Sequence, residues 1–284
     1  MSERKPVFAK KSLGQNFLVD QAAIARIVGS VPGNTPLLLE IGPGRGALST
    51  ELFKRAERFC VLEKDDIFAE NIGGTLFIHG SRNHHVFHTD ALDFDWNRLW
   101  VDSGAPAETP LTVCANLPYN VATEILFRLL GLGSRVDRMV LMFQKEVGVR
   151  IAAPAGTRDC GVISVAVQNL FAVKIQQILK PGAFRPSPKV DSAVLEFTRL
   201  EKPRVTLEGA EEQKQFVQLV RASFAHRRKT LENSLSLESG QLAWIREPSK
   251  AGLKVALEAA GVEGGRRAET VTIEEFGRMF RAMR

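Results

Sequence analysis

Leu37-Leu38-Leu39-Glu40-Ile41 runs straight into Gly42-Pro43-Gly44-Arg45-Gly46, an apolar run that breaks into a glycine-rich turn. The run is apolar on both faces and reads as a buried strand. The alternating glycines permit tight turning and close approach of the backbone to a ligand. A helix is expected next, over 47–55. The same alternation continues in both directions. Asp20 can cap a helix through Ile24, Ile27 and Val28, ahead of the turn Pro32-Gly33-Asn34. Phe59-Cys60-Val61-Leu62 is a second strand ending at Glu63, with helical character over 65–71. Val86-Phe87-His88 is a short strand closing at Asp90, and Leu111-Thr112-Val113-Cys114-Ala115 is another, followed by a helix over 122–130. Segments 139–143, 175–179 and 194–197 complete the strands, with helical 162–170 among them. Short strands alternating with helices predict an α/β fold, a mostly parallel sheet covered by helices.

The character changes near Glu201, where Pro203 and Gly209 mark a linker. Polar helices are expected beyond it, over 211–224, 227–235, 249–260 and 273–281. The predicted organisation is a catalytic domain over 1–200, with a basic N-terminal arm, and a smaller helical domain over 201–284. A chain of 284 residues with 44% hydrophobic and 25% charged residues is ordinary for a soluble protein. Its net charge of +6 leans towards a polyanionic partner. The three cysteines, Cys60, Cys114 and Cys160, contain no Cys-x-x-Cys pair and read as buried thiols. Residues 1–11 are polar and lack the apolar core of a signal peptide, and no stretch reaches the length of a membrane span. A reducing, cytoplasmic setting without a membrane follows.

Glu40, Glu63 and Asp90 end three successive strands, so their carboxylates converge beyond the carboxyl edge of the sheet. Glu63 lies about twenty residues past the glycines, where a carboxylate can accept both ribose hydroxyls, and Asp90 can accept an adenine amino group. With Gly42 and Gly44 in the turn, a ligand carrying adenosine is indicated. The spacing is Gly-x-Gly-x-Gly, not the Gly-x-Gly-x-x-Gly that seats a pyrophosphate on a helix N-terminus.

Asn116-Leu117-Pro118-Tyr119 follows the fourth strand and selects between cofactors. The Asn116 amide oxygen and the Leu117 carbonyl can both accept from an exocyclic amino group. Pro118 restricts Leu117 to extended geometry, and Tyr119 offers a ring on which a base can stack. Hydride transfer has no use for this set, whereas it suits a sulfonium methyl donor, and S-adenosylmethionine is the cofactor read here. An ordinary turn after a strand is the bland alternative for the tetrapeptide.

With these residues in view, the chain resembles the ribosomal RNA adenine dimethyltransferases, and within them the small-subunit, KsgA type. The likeness runs through Lys11-Ser12-Leu13-Gly14-Gln15-Asn16-Phe17-Leu18, the glycine turn, Asn116 to Asn120, Gln144-Lys145-Glu146-Val147, Phe184 to Ala193 and Arg227-Arg228-Lys229-Thr230. The resemblance implies a Rossmann-like S-adenosylmethionine-dependent methyltransferase domain with a smaller C-terminal helical domain. It implies that Asn16 and Leu18 help close over the cofactor, and that Gly42, Glu63, Asp90 and Asn116 line its pocket. It implies as substrate 16S rRNA within the small ribosomal subunit or its precursor, with two adjacent adenosines near the 3′ end each dimethylated. The chain departs from the family's Tyr-Gly-Arg-Leu at Cys160-Gly161-Val162-Ile163, so no role of that tyrosine or arginine carries over.

The expected chemistry is an in-line displacement needing position and polarisation, with no metal and no covalent intermediate. The target adenine leaves its stack to enter the pocket, with Tyr119 on one face and Phe184 on the other. Arg221, Arg227, Arg228 and Lys229, with the basic arm Arg4, Lys5, Lys10 and Lys11, are expected to hold RNA phosphates, a solvated charged face being the alternative. His79, His84, His85 and His88 read as a solvated loop, without metal-ligand spacing. A monomer is expected. Rival readings are a large-subunit rRNA methyltransferase of the antibiotic-resistance type, a non-catalytic ribosome-assembly factor and a nicotinamide-dependent dehydrogenase.

Overall fold

A computed structural model of the chain describes residues 15–80 and 83–284, so the basic arm Arg4, Lys5, Lys10 and Lys11 and the motif residues 11–14 lie outside the described residues. The chain enters through β1 (Phe17–Leu18) and α1 (Gln21–Gly29), whose cap Asp20 accepts the Ala23 amide at 2.9 Å. Next come β2 (Thr35–Ile41), α2 (Ser49–Leu52), β3 (Ala56–Glu63), α3 (Asp66–Ile78) and β4 (His84–His88). The chain continues with α4 (Arg98–Ser103), β5 (Leu111–Asn116), α5 (Ala122–Gly131), β6 (Val136–Gln144) and α6 (Lys145–Ala152). It then forms α7 (Val162–Gln168), β7 (Phe171–Leu179), β8 (Phe184–Arg185) and β9 (Ser192–Arg199). Four helices close it: α8 (Gly209–Ala225), α9 (Leu231–Glu238), α10 (Lys250–Ala259) and α11 (Ile273–Met283).

Seven strands form one sheet in the order β4-β3-β2-β5-β6-β9-β7. β2 pairs in parallel with both β3 and β5, β3 with β4 and β5 with β6, while β9 runs antiparallel to β6. From β2 the chain builds outward to β4, then returns to β5 on the other side. The switch point therefore lies between β2 and β5, and in open α/β sheets that is where the strand ends leave a crevice. The central strands are buried on both faces, as a sheet covered by helices requires.

Two compact units divide the chain. The first runs to Gly148 and resumes over Lys174–Arg199, with a core that includes Leu38, Phe59, Val61, Cys114 and Val140. The second combines Val149–Val173 with Leu200–Arg284, so it takes in α7 in addition to the helices after residue 201. Val165 joins Phe216, Leu219, Leu231 and Phe276 in its core. The Asn169 side chain, 4% exposed, exchanges hydrogen bonds with the Val205 backbone at 2.7 and 3.3 Å and stitches the two pieces together.

Several elements differ from their sequence-based bounds. The helix expected over 47–55 is the single turn α2 followed by a 3-10 turn at Phe53–Arg55, because Gly46 at φ 79° holds the chain out of helical geometry. Arg227, Arg228 and Lys229 stand in the turn before α9; Thr230 caps that helix through the Asn233 amide, so it begins at Leu231. The histidines expected in a loop are on β4 from His84 onward, paired with β3 from Phe59↔His84 to Glu63↔His88. His88 meets Asp66 at 2.9 Å. Among the described residues no cluster of His, Cys, Asp or Glu is placed to hold a metal, and no helix is long and apolar enough to cross a membrane. Cys60, Cys114 and Cys160 are free thiols, at most 2% exposed.

Candidate active site

Beyond the carboxyl ends of β2, β3 and β5 lies a cleft of about 1170 Å³, open to solvent. Asn16, Leu18, Gly42, Gly44, Glu63 and Asp90 line it, and so do Asn116, Leu117, Pro118 and Tyr119.

The glycine turn forms one wall. Gly42 and Gly44 have φ of 66° and 52°, which L side chains rarely adopt. The Gly42 amide donates to the Leu62 carbonyl at 2.8 Å, tying the turn to the end of β3. Gly44 has a second reason to lack a side chain: a Cβ there would lie 2.8 Å from the Phe17 ring. That ring also meets Phe68 edge-on at 5.3 Å and lies under the Arg45 guanidinium at 4.8 Å. β1 pairs antiparallel with β8, Leu18 opposite Phe184, and Gln15 donates to the Asp65 carboxylate at 3.4 Å. The segment before α1 is thus laid across the glycine turn by apolar packing and by strand pairing.

Glu63 lies at the end of β3, where one carboxylate oxygen accepts the Gly44 amide at 3.1 Å and the other the Asp65 amide at 2.8 Å. Burial raises its carboxyl above the ordinary value, against the lowering effect of those bonds. Asp90 accepts the Leu92 amide at 3.0 Å and the Lys64 ammonium at 2.6 Å. Burial pushes Asp90 up, but the Leu92 amide and Lys64 outweigh it and hold the carboxyl below its usual value. Glu40 also lines the cleft, 2% exposed, and accepts the Ser49 hydroxyl at 2.5 Å. Burial drives its pKa to about 8, opposed by Ser49 and assisted by nearby Glu63.

Asn116 ends β5 and faces these groups across the cleft. Its amide NH2 donates to the Asn16 carbonyl at 2.9 Å, so its oxygen is the end that can accept from a ligand. Leu117 is 1% exposed and anchors the turn by its side chain. The Tyr119 hydroxyl meets the Ser192 hydroxyl at 2.5 Å, and burial raises the phenol's pKa.

Phe184 departs from its expected role. Its ring is fully buried at 0% exposure in the core of the first unit and is not part of the cleft wall, so it offers no face to a base. On β8 it stands opposite Leu18 of β1, a pairing the sequence did not indicate. Arg221, on α8, and Arg227, Arg228 and Lys229 belong to the second unit, where all four side chains are exposed. Arg227 also donates to the Arg158 carbonyl.

Phe17, Arg45, Ser49 and Ser192 carry no role that is legible in the sequence. Phe17 and Ser192 lie inside motifs quoted for the resemblance, which was their only signal. Ser49 reaches Glu40 from nine positions away, whereas Ser192 meets Tyr119 from 73 positions away.

A family description, Ribosomal RNA adenine dimethylase, matches residues 8–276. A "Ribosomal RNA small subunit methyltransferase A" of Geobacter sulfurreducens is 41% identical over 276 residues, covering 97% of this chain and 95% of that protein. The crystal structure of a dimethyladenosine transferase from Plasmodium falciparum superposes with a TM-score of 0.74 at 20% identity, covering 92% and 95% of the two chains. That of the 23S rRNA methyltransferase ErmE gives 0.68 at 25% identity, covering 94% and 99%.

Proposed function

The chain belongs to the ribosomal RNA adenine dimethylase family, and from that premise we propose that it methylates small-subunit rRNA. The reaction is transfer from S-adenosylmethionine to N6 of two adjacent adenosines in the 3′-terminal hairpin loop of 16S rRNA, each dimethylated. The names of relatives such as the Geobacter sulfurreducens protein support the small subunit as substrate. ErmE, named for 23S rRNA, shares the fold at 25% identity, so the large-subunit alternative is the weaker reading.

The donor set suits an adenosine-bearing methyl donor. Gly42 and Gly44, both at positive φ, keep the turn beside the cleft free of side chains, Glu63 offers carboxylate oxygens to ribose hydroxyls, and Asp90 offers an acceptor for an adenine amino group. S-adenosylmethionine, when bound, supplies an electrophilic methyl on a sulfonium. Asn16 and Leu18 are assigned to close over it, and Asn116 to border it.

The observation that carries the reading is the orientation of Asn116. Its NH2 is held by the Asn16 carbonyl, so its oxygen is presented as an acceptor in the cleft. Adenine N6 is a poor nucleophile because its lone pair is delocalised into the ring. Hydrogen bonds from its protons to the Asn116 oxygen and the Leu117 carbonyl favour a pyramidal nitrogen, aligned for in-line attack. Tyr119 holds one face of the extruded base. Arg221, Arg227, Arg228 and Lys229 are assigned to rRNA phosphates, which makes affinity salt-dependent. A monomer acting in the cytoplasm, on the subunit or its precursor, completes the proposal.

The test is labelled methyl transfer to undermethylated small subunits, with the modified bases mapped afterwards. Asn116→Ala is expected to lose nearly all transfer while cofactor binding weakens but stays measurable. Wild-type turnover from that variant overturns the assignment.

A further inference from the structure

We propose that Ser192 is a positioning residue for methyl transfer: its hydroxyl pins the phenol of Tyr119 and so fixes the ring against which the target base is held. The inference rests on the proposed function above and extends it to a residue just behind the cleft wall.

Ser192 opens β9 with 0% of its surface exposed, and its hydroxyl lies 2.5 Å from the Tyr119 hydroxyl. A buried hydroxyl left without a partner is destabilising, so this bond is built into the fold. The phenol oxygen of a tyrosine lies on the line from Cβ through the ring. Holding that oxygen at one end, with the main chain at the other, fixes the ring axis. The ring can turn about the axis but cannot swing to another χ1 rotamer without breaking the bond.

The anchor is itself held firmly. Ser192 pairs with Gln144 on β6. Asp191, immediately before it, accepts the Lys145 amide at 2.9 Å and pairs with the Lys180 ammonium at 2.9 Å. β6 lies between β5 and β9, so the Tyr119–Ser192 bond reaches across a strand to secure the turn that follows β5. Phe184, sequestered in the core, supplies no second ring to sandwich the base. Orientation of the base therefore falls on Tyr119, and orientation of Tyr119 on Ser192. A phenol is protonated at neutral pH without help, and burial raises its pKa further, so the hydroxyl is there to make the bond.

Tyr119 is the single tyrosine of the chain, which provides a clean reporter. The experiment compares wild type, Ser192→Ala, Tyr119→Phe and the double variant in single-turnover methyl transfer to undermethylated small subunits. S-adenosylmethionine affinity is measured alongside, and 3-fluorotyrosine is incorporated into wild type and Ser192→Ala for ¹⁹F NMR. Each single variant is expected to lose about five- to tenfold in rate, the worth of one neutral hydrogen bond, with cofactor affinity unchanged. The double variant is expected to be no slower than either single one, because both remove the same bond. The lone fluorine resonance is expected to shift in Ser192→Ala. A wild-type rate and an unshifted resonance in Ser192→Ala overturn the proposal, as do losses that multiply in the double variant. If Ser192→Ala does not fold, Tyr119→Phe decides alone, and a wild-type rate from it overturns the proposal. Absence of transfer by the wild-type protein strikes instead at the proposed function.

Discussion

Burial and charge conflict at Glu40. It sits at the end of β2 beside Cys114 and Glu63, with the Ser49 hydroxyl as its hydrogen-bond donor. Its carboxyl titrates near pH 8, against 4.5 for a free glutamate, so the folded protein holds a proton that the unfolded chain releases. Stability from this group is complete below about pH 4.5 and is lost as the pH climbs to about 8. Glu40→Gln removes the titration and keeps a partner for Ser49. Its unfolding free energy relative to wild type, followed by denaturant titration at each pH, is expected to rise steadily between pH 5 and pH 8, by up to about 1.4 kcal/mol per pH unit. A difference that stays flat across this range contradicts a carboxyl held protonated by the fold. The sequence shows Glu40 as an acid at a strand end, but not that Ser49 would reach it. The Tyr119–Ser192 bond was equally hidden, since its partners are 73 positions apart and only sheet topology joins them.

At the scale of elements, α6 and β9 meet through Gly148. A Cβ there would stand 2.7 Å from the Ala193 Cβ and 2.9 Å from the Leu195 side chain, so helix and strand touch almost backbone to backbone. Gly148→Ala is expected to cost about 1–3 kcal/mol by overpacking, read as a lower denaturant midpoint. Because Ala193 follows Ser192, the same variant is expected to slow transfer as well, and an unchanged midpoint argues against the close contact. Elements with complete local signals were legible: α1 carries its Asp20 cap, and β2 is apolar throughout. Others were obscured by context. α3 is expected to stop near 71 but continues to Ile78, past Gly73 and Gly74, whose poor helix propensity hides the last two turns from a local reading. β7 begins at Phe171 rather than 175, since an edge strand buries only its ends here and shows no clean apolar run.

The whole molecule is two units whose chain paths interleave. A change in composition near residue 201 is visible in the sequence, because the polar helices that follow lack strand patterning. The contribution of 149–173 is not visible, since α7 reads as one more helix of an α/β alternation. Without it the C-terminal helices lose Val165 and Cys160 from their core, together with the Asn169 bonds to Val205. A fragment of residues 201–284 is therefore expected to show weak, non-cooperative melting by circular dichroism; a sharp two-state transition would mean the later helices suffice. The buried cysteines have a practical consequence for following these parts in motion. Burial lifts the Cys60 thiol to about 12, and raises Cys114 and Cys160 as well, so little thiolate is present to react at neutral pH. The native protein is thus a chemically quiet background. One cysteine placed on an exposed turn can carry a spin label or dye without replacing any of the three that nature provided.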